Sequence, residues 1–156
     1  MVWPLLPAMP LIEENISLAR FANLLAHYTG RESDRTVAEA ALRFLADPHV
    51  ALDSITEPGI LLADDEAHAD PLHLTVVGAK SDDAAKVLFS TMQHLPPWYK
   101  RIEWWDKSDG ALPNPDVSYP APKRAAAFVC TQTRCSLPIF AASDIAGFIA
   151  PPVAAK

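Results

Sequence analysis

Apolar residues recur at helical spacing early in the chain, then switch to short β-rich runs. In "EENISLARFANLLAHYTG" they fall at Leu18, Phe21, Ala22, Leu25 and Tyr28, which predicts an amphipathic helix. Glu13 and Glu14 suit its positive N-terminal end, and Gly30 is placed to stop it in a left-handed conformation. A second helix is expected at once, capped by Ser33 or Asp34, with a stripe of Val37, Ala40, Ala41, Phe44 and Leu45. The short connection makes 13–46 an antiparallel helical hairpin, preceded by an irregular segment, 1–12. Residues 47–70 read as a linker in which Pro58 starts a short helix reaching Ala63 or beyond. The run Asp64, Asp65, Glu66 in that linker reads as a solvated face.

The second half has a different period. "LHLTVVG" (72–78), bounded by Pro71 and Gly78, predicts a buried strand. Ser81 is the expected cap of a helix whose stripe is Ala84, Ala85, Leu88, Phe89 and Met92, ended by Pro96 and Pro97. "YKRIEWW" (99–105) predicts a second strand and "AAAFVC" (125–130) a third, separated by a proline-rich loop. Ser143 or Asp144 should start a last short helix carrying Ile145, Phe148 and Ile149. Strand, helix, strand in this order implies a right-handed crossover. The expected fold is thus mixed α/β: an N-terminal helical hairpin, then a small three-stranded, mainly parallel sheet with flanking helices over 71–150, and a tail, 151–156.

Composition narrows the classes of function. Half of the 156 residues are hydrophobic and 21% are charged, which suits a folded chain. The net charge of −6 argues against a nucleic-acid binder, because phosphate contacts need a basic surface. No apolar run reaches the roughly 20 residues of a membrane span. "MVWPLLPAMP" lacks a basic start and is broken by three prolines, so no secretory signal and a cytoplasmic setting are expected.

Candidate chemistry is sparse. "VVGAKSDD" joins a strand to a helix start but lacks a glycine-rich fingerprint, and Asp82 and Asp83 would repel a phosphate there. None of His27, His49, His68, His73 and His94 has metal-ligand spacing, so neither a metal nor a cofactor is expected. His73 reads as a satisfied, half-buried strand histidine. Trp98, Trp104 and Trp105 are candidates for a partner or ligand surface. Strand alternation should send one of Trp104 and Trp105 into the core and the other to the opposite face. Cys130 and Cys135 are the only cysteines, in "AAAFVCTQTRCSLPIF". The favoured reading is a pair of reduced structural thiols. A reversible disulfide across the small loop and half of a zinc site remain the alternatives.

Five stretches, "PLIEENISLARFANLLAHYTG", "DPLHLTVVG", "YKRIEWWD", "LPNPDVSYP" and "AAFVCTQTRCSLPIF", taken in order, resemble the C-terminal part of a family. It is that of the thioredoxin-domain-containing proteins related to the spermatogenesis-associated thioredoxin-like protein. The resemblance implies that 13–46 is similar to a late hairpin of a six-hairpin (α/α)6 barrel and that 70–145 is an appendage after it. It carries Cys130 and Cys135 over as motif positions without a catalytic role, and the family's thioredoxin-type Cys-x-x-Cys is missing. The expectation is a non-catalytic module that self-associates or packs on a chain supplying the missing hairpins. Thiol–disulfide or redox-sensing chemistry at Cys130 and Cys135 is the alternative. A carbohydrate-linked role, by barrel resemblance, is a further one.

Overall fold

A computed structural model describes residues 11–54, 56–96, 98–131 and 134–148. The expected N-terminal segment lies almost entirely outside these residues, as do the tail, Pro97 and Ile149. The described residues form two compact units, one of 11–26 with Arg31–Ala69, the other of His27–Gly30 with 70–148.

The first unit is helical. α1 (Ile12–Thr29) carries Glu13 and Glu14 in its first turn and ends at Gly30, whose φ of 68° is the left-handed stop expected there. α2 (Glu32–Leu45) starts after Arg31 with no side-chain cap, so neither Ser33 nor Asp34 caps it. Within the expected linker an unexpected helix, α3 (Pro48–Asp53), precedes the helix expected from Pro58, α4 (Pro58–His68), and each has proline in its first turn. The core is made of Ile16 and Ala19 from α1, Ala41 and Leu45 from α2, and Ala63 from α4. The buried stripes are therefore rotated from the expected ones. α1 buries Ile16, Ala19, Ala22 and Ala26, while Leu18 and Phe21 are exposed. α2 buries Ala38, Ala41 and Leu45, with Val37 and Ala40 outside. Small residues win these positions because they let helix backbones approach closely.

Glu66 corrects the reading of the acidic run. Asp64 and Asp65 are exposed, but Glu66 is 3% exposed and takes a two-pronged ion pair from Arg20, with Nε–Oε2 and Nη2–Oε1 both 2.8 Å. Planar guanidinium and carboxylate match in this geometry, which is what makes a buried carboxylate tolerable.

The second unit is α/β. β1 (Leu72–Val77) is central, with β2 (Lys100–Trp105) parallel to it on one side and β3 (Ala126–Cys130) antiparallel on the other. The sheet is thus mixed, and β3 departs from a purely parallel arrangement. The long 106–124 connection carries no helix of crossover length, so the third strand is free to return in the opposite direction. α5 (Asp83–Gln93) joins β1 to β2 and buries Ala85, Leu88 and Met92. Its cap is the Asp82 carboxylate, which accepts from the Ala84 amide at 2.8 Å, rather than Ser81. Leu74, Val76, Val129 and Ile145 of the short α6 (Ala142–Ile145) complete this core.

Both sheet edges carry hydrogen-bond partners. On β2 the Tyr28 hydroxyl accepts from the Ile102 amide at 2.7 Å and donates to its carbonyl at 3.2 Å. Along β3 the returning segment exchanges Ala127 N–H to Ile139 O and Ile139 N–H to Ala127 O, at 2.8 and 2.9 Å. An open edge would otherwise offer itself to another strand.

Candidate functional site

The strand period sorts side chains onto two faces. His73 and Thr75 of β1 lie opposite Arg101 and Glu103 of β2, and opposite Cys130 and Phe128 of β3. One face of the sheet is therefore apolar, against α5, and the other carries a buried polar row. The 106–124 connection crosses that row and supplies its remaining partners.

Arg101 is the hub and is 2% exposed. Its Nη1 donates to Asp116 at 2.6 Å, and its Nη2 donates to Glu103 Oε1 at 3.0 Å and to the Asn114 carbonyl at 2.9 Å. Its Nε has no hydrogen-bond partner among the described residues. Glu103 Oε2 also accepts from His73 Nε2 at 2.6 Å. An ionised carboxylate can only accept, so the hydrogen sits on Nε2. Thr75 Oγ1 is 3.1 Å from that nitrogen and 2.8 Å from the Tyr119 hydroxyl. Burial pushes the Tyr119 phenol up to about 12.

A cavity of about 220 Å³ opens beside this row, lined by His27, Asp70, His73, Arg101, Asp116 and Cys130 among others. Cys130 is bonded to Cys135, which corrects the expectation of reduced thiols. The return of the chain onto β3 brings the two together, since Ser136 N–H bonds to the Val129 carbonyl at 2.8 Å. Cys130 is 2% exposed, whereas Cys135 is exposed.

The three tryptophans are not gathered into one surface. Trp104 packs on Phe89, with ring centroids 5.0 Å apart, and its indole N–H bonds to the Gly78 carbonyl. Trp105 lies on the opposite face near Tyr119, as strand alternation requires. Trp98 stands out in solvent, 93% exposed. The turn after β1 is closed by a carboxylate: Asp106 accepts from the Lys80 and Ser108 amides at 2.8 and 3.0 Å, and these bonds hold its carboxyl below the usual range. Among the described residues no cluster of three or more potential metal ligands occurs, and no helix is long and apolar enough to cross a membrane.

A second candidate surface lies on α1. Phe21, 65% exposed, and Leu18 share a shallow groove with Ser17, Glu13 and Glu14. Exposed Leu61 and Leu62 on α4 add to the apolar area of this unit.

Arg101, Glu103 and Tyr119 were not singled out from sequence. The alternation in "YKRIEWW" did hold a signal: it puts Arg101, Glu103 and Trp105 on one side, an unusual charge content for a strand bounded by apolar neighbours. No family model, no curated protein and no solved structure matches this chain.

Proposed function

We propose that this chain is a non-catalytic module whose α1 face packs against a helical partner carrying basic residues around an apolar strip. The observation that supports it is the outward placement of Leu18 and Phe21 on a helix that buries mainly alanines. Leu18 is 44% and Phe21 65% exposed, so covering what remains of each would stabilise a complex by about 1–2 kcal/mol per side chain. Glu13 and Glu14 lie beside them in the same groove, so a basic rim would complement this one. The reading fits the resemblance of 13–46 to a late hairpin of an (α/α)6 barrel, whose other hairpins would supply such a surface.

The test uses two model amphipathic helices, one with leucines flanked by lysines, the other with the same leucines flanked by glutamates. Salt-sensitive binding of the lysine helix, lost in Leu18→Ser/Phe21→Ser, is expected. A chain that sediments as a monomer and binds neither helix nor a hydrophobic dye ends the reading. A concentration-dependent dimer that dissociates in the same double variant replaces the partner by a second copy.

A second reading, thiol–disulfide chemistry at Cys130 and Cys135, is favoured by one observation: the two are bonded, with one sulfur-bearing residue exposed and the other buried. An asymmetric pair of this kind suits exchange, because an attacking thiol has access to one side only.

A further inference from the structure

We propose that His73 donates the proton to Cys130 when the Cys130–Cys135 bond is reduced by a thiol, which couples reduction of this disulfide to a buried imidazole. The proposal rests on the thiol–disulfide reading above. Cys135 is exposed and Cys130 is not, so an incoming thiolate reaches Cys135 and Cys130 becomes the leaving sulfur. A thiolate formed at so buried a position is opposed by desolvation and needs a proton or a countercharge.

His73 is placed to supply one. It is the register partner of Cys130 across the antiparallel β1–β3 pair, on the same sheet face, and both line the same cavity. Directly opposed residues of this kind have Cβ atoms about 4.5–5.5 Å apart. Glu103 holds His73 Nε2, so Nδ1 is the nitrogen that gains and loses a proton. The same carboxylate stabilises the imidazolium once it forms. Among the described residues, the other charged or titratable groups around the imidazole are Arg101 from β2, Tyr119 and Asp116 from the connection, Asp70 ahead of β1 and His27 at the end of α1.

A thiolate RS⁻ attacks Cys135 Sγ, the RS–S bond forms, and the Cys130–Cys135 bond breaks with its electron pair leaving on Cys130 Sγ. That sulfur takes the proton of the His73 imidazolium, and the imidazole is reprotonated from water. A second thiolate, within the same molecule for a dithiol, displaces Cys135 and releases RSSR, and the Cys135 thiolate is protonated from water. The protein gains two electrons and the thiol pair loses two.

The experiment follows reduction of the intact chain by dithiothreitol from about pH 5.5 to about pH 8.5, across the imidazole range. Each rate is divided by that of oxidised glutathione under the same conditions, which cancels the thiolate fraction of the reagent. The ratio is expected to fall about tenfold as pH rises through the range, in keeping with general-acid assistance. In His73→Gln it should be flat and match the wild type only at the high end. A flat ratio in the wild-type protein overturns the proposal without any variant, and so does a folded His73→Gln protein that keeps the fall. If the bond resists dithiothreitol throughout while the protein stays folded, the thiol–disulfide reading fails as well.

Discussion

Tyr119 and Glu66 are polar residues whose chemistry depends on neighbours far away in sequence. The Tyr119 phenol is held near 12 by burial against an unfolded value of about 10. Because the folded state keeps the proton longer, this stabilisation is fully present below about pH 10 and is lost as pH rises towards 12. Ultraviolet titration of tyrosinate should show one of the three tyrosines ionising late, and Tyr119→Phe should remove that late step. Glu66 leads to a stability prediction. Arg20→Met strands a carboxylate that is 3% exposed, so urea unfolding should report a loss of about 2–3 kcal/mol, within the range for hydrogen bonds to charged groups and below that for fully buried pairs, because the Arg20 side chain is 39% exposed. An unchanged midpoint would mean that Glu66 finds water or another donor. Sequence reading placed Glu66 in a solvated run because its partner is 46 positions away. His73 is the satisfied strand histidine that alternation with apolar neighbours predicts, a local signal, but it is buried rather than half-buried, because the 106–124 connection covers its face.

At the scale of elements the local pattern is most legible, and the departures are the helix α3, the direction of β3, and the faces and ends of helices. The strands, α1, α2 and α5 occupy the expected stretches, because 3.6- and 2-residue periods are written locally. The buried side of α1 was misjudged, because a helix with apolar residues on much of its circumference gives no single stripe. Which part is covered depends on what stands beside it, and alanines at Ala19, Ala22 and Ala26 admit a close neighbour where Phe21 would not. Gly78 shows the same principle at a strand end. A Cβ added there would lie 2.9 Å from the Ala125 Cβ and 3.1 Å from its Cα, so backbone must shift. Gly78→Ala should cost about 1–3 kcal/mol, the range for overpacking, and lower the thermal midpoint. A neutral result would show that the 125 region yields freely.

At the scale of the whole molecule, two units have separate cores, and the disulfide belongs to only one of them. Closing so short a loop contributes about 2 kcal/mol on the chain-entropy account. Cys130→Ala/Cys135→Ala should therefore lower the unfolding transition followed by Trp104 and Trp105 fluorescence. Arg20→Met should act on the transition of the helical unit, followed by far-ultraviolet circular dichroism. Equal shifts of both signals in both variants would show one cooperative unit instead. The same separation bears on function: the apolar α1 groove lies in the first unit, and the His73–Glu103–Arg101 row beside Cys130 lies in the second. The sequence by itself determined the mixed α/β class, the order of the strands with α1, α2, α4 and α5, and the left-handed stop at Gly30, because periodicity and turn chemistry act over a few residues. Only the tertiary structure decided the antiparallel direction of β3, the outward turn of Leu18 and Phe21, the burial of Glu66 and the meeting of Cys130 with His73. Each of these depends on a partner distant in the chain, and burial energies are set by the neighbours that arrive there.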